Sequence, residues 1–117
     1  LNIMQPDKTL FCVEVEVVKS PHDPLPADCG GAFVNVYLAA ADIRAALDEA
    51  ESSLLHNHYR VHSLEAAFTV DLGEYMKDPE AEGEPEYDDL LALLDTGEIW
   101  YGTFHCYPPE EAPQRLH

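Results

Sequence analysis

Residues 10–18, LFCVEVEVV, and residues 32–38, AFVNVYL, decide how this chain folds. In the first, Phe11, Val13, Val15 and Val17 alternate with Cys12, Glu14, Glu16 and Val18. In the second, Val34, Val36 and Leu38 alternate with Phe33, Asn35 and Tyr37. A period of two is the signature of a strand with one face buried and the other reaching a more polar environment. Two such strands joined through SPHDPLPADCGG, with three prolines and two glycines, predict a long irregular loop between them, either functional or mobile.

Outward from these strands the period changes. Asp42 offers an N-cap ahead of Ile43, Ala46, Leu47, Ala50 and Leu54, whose spacing of three and four draws one apolar stripe along a helix ending near His56. Tyr87, Leu90, Leu91 and Leu94 mark a second helix, closed by Gly97. Residues 59–72, YRVHSLEAAFTVDL, read either as one long bent strand or as two broken near Ser63 to Glu65. Residues 72–86 read as a solvated linker, and residues 99–107 as a last strand stopped by Pro108 and Pro109. The expectation is a single α+β domain over residues 1–117, with residues 1–9 and 108–117 as loose ends. It has a mixed or antiparallel sheet of four to five strands and two helices on one face. With two strands in 59–72, residues 32–107 follow the β-α-β-β-α-β order of a ferredoxin-like sandwich, preceded by one extra N-terminal strand.

Composition narrows the function. Against 6 basic residues stand 23 acidic ones, a formal net charge of −17, so nucleic acid and anionic membrane are repelled and basic protein surfaces attracted. No apolar run approaches the ~20 residues that span a bilayer, and the N-terminus lacks an export pattern, so a cytoplasmic protein is expected. The odd count of three cysteines, Cys12, Cys29 and Cys106, fits reduced thiols better than a disulfide framework.

If both helices lie on one face, the other is open, and the alternation places Glu14, Glu16, Asn35, Tyr37, Arg60, His62, Tyr101, Thr103, His105 and Tyr107 there. Tyrosines among carboxylates suit a protein interface or a homodimer contact, because a rigid apolar ring carries a polar tip. A second candidate is the acidic run of Asp78, Glu80, Glu82, Glu84, Glu86, Asp88 and Asp89. It reads as a docking surface for a basic partner, or as a solvated linker and helix N-terminus.

Neither a metal nor a cofactor is expected. His105 and Cys106 are strand neighbours pointing to opposite faces, no EF-hand spacing occurs, and a metal site would need His62, His105 and Glu14 or Glu16 assembled in space. An enzyme would use the same groups, a glutamate as base beside a histidine. Yet no phosphate loop, G-x-S-x-G elbow or H-E-x-x-H is present, and catalysis is the less favoured reading. The sequence points first to a small acidic binding or inhibitory module on the pattern of immunity proteins and nucleic-acid mimics, a likeness of charge and size. The alternative is a small-molecule-binding or catalytic domain using the His, Glu and Tyr side chains of the open face.

Overall fold

A computed structural model describes residues 7–80 and 82–113. The element order is β1 (Thr9–Val18), β2 (Gly31–Ala40), α1 (Ile43–His56), β3 (Arg60–Thr69), α2 (Tyr87–Thr96), β4 (Trp100–Tyr101) and β5 (His105–Tyr107). The strands form one antiparallel sheet in the order β3-β1-β2-β4, with β5 also pairing on β2. The α+β class, the strand count and the two helices are as the alternation and the apolar stripes required. Of the expected loose ends, residues 1–6 and 114–117 lie outside the described residues. Thr9, however, belongs to β1, and Pro109–Glu111 form a short 3-10 turn.

β1 sits in the centre, and all four of its odd-numbered side chains from Phe11 to Val17 are buried. Across the β1–β2 ladder they face Val34, Val36 and Leu38, giving the apolar layer that α1 covers with Ala46, Ala50 and Leu54. Asp42 caps that helix by accepting a 2.8 Å hydrogen bond from the Ala45 N–H. The loop at residues 19–30 is tied down rather than loose. Lys19 donates to Asp23 at 3.0 Å and to the Leu25 carbonyl at 2.8 Å, and both Leu25 and Cys29 are buried.

Both helices on one face was the expectation, and here the structure differs. α2 packs Leu90 and Leu93 on Leu10, Cys12, Tyr37 and Ala39, side chains that alternate with the α1-facing set and therefore lie on the reverse of the sheet. Leu10 and Ala39 are cross-strand partners, as are Cys12 and Tyr37, so one end of the reverse face is apolar enough to require a cover. The connection that carries α2 leaves β3 at one sheet edge and arrives at β4 on the other, crossing over that end. At the far end of the helix, Gly97 takes the left-handed conformation (φ 71°) and its N–H closes on the Leu93 carbonyl.

The ferredoxin-like order is corrected as well. Residues 60–69 are one strand, not two, and all pairings are antiparallel. The strand stays continuous by absorbing two extra residues against β1, Glu65 and His62, which have no partner in the ladder. The expected last strand divides instead. Val36 pairs with Tyr101 and Phe33 with His105, so three residues, Gly102 to Phe104, oppose only two on β2. That extra residue reverses the facing of the chain between β4 and β5.

Candidate protein-binding face

α2 covers only one end of the reverse face, and three cross-strand rows lie beyond the helix. The first is Ala66, Glu14 and Asn35. The second is Ser63, Glu16, Phe33 and His105, and the third is Arg60, Val18, Gly31 and Tyr107. Cross-strand partners share a face and stand ~5 Å apart, so these rows make a continuous surface. Within them Arg60 is the sole lysine or arginine. The Tyr107 hydroxyl donates to Glu16 Oε2 at 2.6 Å, and its ring meets Phe33 with centroids 5.7 Å apart. Lost hydration and the adjacent Glu16 carboxylate raise the Tyr107 phenol above its ordinary value, which keeps it a donor.

Of the ten residues assigned to this face from sequence, Glu14, Glu16, Asn35, Arg60, His105 and Tyr107 are on it. His62 is a bulge residue at its margin. Tyr37 shares the face but is only 7% exposed, buried beneath α2, so it offers no contact surface. Tyr101 is on the opposite side. Its hydroxyl lies 2.5 Å from Ser53 Oγ and accepts from Asn57 Nδ2 at 3.1 Å, while its ring joins Tyr59 and Phe104 in an aromatic cluster under α1. Thr103 belongs to no strand, and its hydroxyl donates to the Glu82 carbonyl. The reversal between β4 and β5 explains both: simple alternation puts 101, 103, 105 and 107 together, and one extra residue separates them.

Two residues escaped the sequence reading. Phe33 is 43% exposed in the middle of the second row, and Phe68 is 47% exposed on the same face, two strands away and opposite Cys12. The period of two that puts Phe33 on the side of Asn35 and Tyr37 was the available signal.

The acidic run divides in the structure. Asp78, Glu80, Glu82 and Asp88 are exposed carboxylates. Glu86 pairs with Lys77 at 2.8 Å, and Asp89 accepts from the Glu86 N–H at 2.8 Å, so these two serve the start of α2. Glu84 turns inward onto the sheet, where it accepts from Asn35 Nδ2 at 3.3 Å; its other oxygen, Oε2, is buried with no hydrogen-bond partner among the described residues. Trp100 Nε1 donates to the Gly83 carbonyl at 3.0 Å and holds the segment against the β4 edge. The strip and the sheet face therefore meet in a concavity of about 260 Å³ lined by Glu80, Glu82, Glu84, Thr103 and His105.

The metal assembly of His62, His105 and a glutamate does not form. His62 on β3 and His105 on β5 are separated by β1 and β2, three strand spacings or ~14 Å, too far to share an ion. No group of three or more His, Cys, Asp or Glu among the described residues is arranged to hold a metal ion. A second cavity, of about 350 Å³, opens beside Phe68 between the sheet and residues 70–76, with Cys12, Tyr37, Tyr75 and Met76 in its walls. Burial, and then the neighbouring Glu14 carboxylate, pushes the Cys12 thiol up to about 12, so the sulfur there is a protonated thiol and not a nucleophile. No helix among the described residues is long and apolar enough to cross a membrane. Compared with protein-family models, with curated proteins and with solved structures, the chain matches none.

Proposed function

We propose that this chain is a small acidic binding or inhibitory module that engages a basic partner protein through its uncovered sheet face and the adjoining carboxylate strip. The observation that carries the reading is the placing of Phe33 and Phe68, both more than two-fifths exposed, on one face with Glu14 and Glu16. Exposed aromatic anchors ringed by polar groups are what interface hot spots are made of, and carboxylates beside aromatic faces suit arginine in particular. Glu80, Glu82 and Glu84 line the concavity beside His105, a cluster of carboxylates that suits an incoming ammonium or guanidinium. A net charge of −17 steers a basic protein toward this surface and disfavours a second copy of the same chain on it. Three free thiols fit a reducing cytoplasm.

The test is affinity capture from an extract of the native host at low salt, eluted by a salt gradient, with the wild-type chain and the variant Phe33→Ser/Glu16→Lys side by side. A basic protein should be retained by the wild type, released as ionic strength rises, and lost by the variant. Equal recovery on both columns, or no basic protein on either, rejects the proposal. The second reading rests on the 350 Å³ cavity, which falls at the lower end of the size range of small-molecule sites and has aromatic walls with Asn35 and Glu74 as polar groups. A ligand there would raise the melting midpoint almost independently of salt.

A further inference from the structure

We infer that Cys29 and Cys106 are a redox pair that closes reversibly into a disulfide, locking β5 to the start of β2. The ladder between these strands pairs Gly31 with Tyr107, Ala32 with Cys106 and Phe33 with His105. Sharing a row with Ala32 puts the Cys106 side chain on the α1 side of the sheet. Cys29 belongs to the same layer: it is 2% exposed within the core under α1, and its thiol donates to the Gly31 carbonyl at 2.9 Å, which turns the side chain back along β2. The backbones already run together here, since the Gly30 N–H donates to the Tyr107 carbonyl at 2.7 Å. The two side chains are therefore neighbours across the β2–β5 junction, while the Cys29 thiol gives its hydrogen bond to the Gly31 carbonyl. Cys12 cannot substitute for either, because it faces α2 on the other side of the sheet.

The pair is asymmetric in the way exchange chemistry uses. Cys106 is exposed and meets the reagent first, while Cys29 is buried behind it and resolves the product. With a low-molecular-weight disulfide such as oxidised glutathione, Cys106 gives up its proton and its sulfur attacks one glutathione sulfur. The reagent's S–S bond breaks, and the first glutathione leaves as a thiolate that takes up a proton. Cys29, deprotonated in turn, attacks Cys106 Sγ in the mixed disulfide and expels the second glutathione. The protein loses two electrons and two protons, and the reagent gains them as two thiols. Reduced hydration at the sulfur, the adjoining Cys29 thiol and the Asp28 carboxylate, opposed by Lys19, push the Cys106 thiol up to about 11. The thiolate fraction, and with it the rate of closure, then rises about tenfold per pH unit from neutrality toward pH 10. The consequence of closure falls on the edge that carries His105 and Tyr107, because a strand of three residues gains a covalent anchor.

The experiment uses the full chain, reduced, desalted and incubated with oxidised glutathione at pH 8.5. Intact mass should fall by two hydrogens, peptide mapping should join the segments containing Cys29 and Cys106, and the melting midpoint should rise by on the order of 10 °C and return on reduction. Cys29→Ala should instead trap glutathione on Cys106, and Cys106→Ser should show neither adduct nor rise. A wild-type chain that keeps glutathione on Cys106, links two chains through it, or bridges to Cys12 overturns the inference. If Cys29→Ala does not fold, the wild-type peptide map and Cys106→Ser, which alters an exposed side chain, still decide.

Discussion

Gly31 lies beneath the Tyr107 phenol, and replacing it with alanine tests how the uncovered face is built. A Cβ at Gly31 would stand 2.5 Å from Tyr107 Cζ, with the hydroxyl oxygen closer still, and 2.7 Å from the Val17 carbonyl oxygen. Two effects oppose each other. Alanine restricts the unfolded chain and, at a compatible site, stabilises by ~0.4–1 kcal/mol. Overpacking a fitted contact costs ~1–3 kcal/mol, and here the ring must move and give up its 2.6 Å hydrogen bond to Glu16. That bond is partly exposed and contributes about 1 kcal/mol, below the range for buried bonds to charged groups. Gly31→Ala should therefore destabilise by about 2 kcal/mol. Tyr107→Ala should cost a similar amount through the lost ring contact with Phe33 and the lost bond. In the double variant the ring clash is gone but the Val17 carbonyl oxygen still stands 2.7 Å from the new Cβ, so adding the Gly31 methyl should then cost about 1 kcal/mol. Urea unfolding of the four proteins, followed by circular dichroism, gives the coupling as a double-mutant cycle. A coupling of about 1 kcal/mol is expected. Additivity within ~0.5 kcal/mol would mean that Tyr107 does not lie across Gly31, and the third row of the proposed surface would be wrong.

Three further outcomes are expected. Leu54 is 0% exposed where α1 meets the sheet, so Leu54→Ala should lose ~3–5 kcal/mol in urea unfolding, while Leu55→Ala, 56% exposed on the next position, should change stability by less than ~0.5 kcal/mol. Asp42→Ala removes the acceptor of the Ala45 N–H and should cost about 1 kcal/mol, with Asp42→Asn recovering most of it. The Cys12 thiol is raised from its ordinary 9.0 to about 12, so above pH 9 the unfolded chain ionises first and holds fewer protons. Stability should then fall as pH rises from 9 toward 12, by up to ~1.4 kcal/mol per pH unit. Unfolding midpoints at pH 8 to 11 should drop less steeply for Cys12→Ala than for the wild type, and parallel curves would show that the thiol ionises freely in the folded protein.

Much of the architecture was legible in residue order because it depends on local periods. Strict alternation from Phe11 to Val18 and from Phe33 to Leu38 defined two strands and put Glu14, Glu16 and Asn35 together on one face. Spacings of three and four defined both helices. Asp42 marks a helix start because its side-chain oxygen accepts from the Ala45 N–H, and Gly97 a helix end because, without a Cβ, it takes the left-handed conformation in which its N–H reaches the Leu93 carbonyl. The charge of −17 is a property of composition alone.

What alternation cannot reveal is where a neighbouring strand forces an extra residue. The bulges at His62 and Glu65, and the additional residue between Tyr101 and His105, arise from pairing with β1 and β2, and each reverses the facing of whatever follows. Tyr101 consequently went under α1 while His105 and Tyr107 stayed on the open side. Helix placement was equally a tertiary decision. A stripe of leucines says that a helix must cover something, but only the assembled sheet shows that the apolar patch left at Leu10, Cys12, Tyr37 and Ala39 lies opposite α1. Packing there buried Tyr37, left Phe33 and Phe68 outside, and brought together two cysteines 77 positions apart in the chain, a proximity that no spacing rule could show.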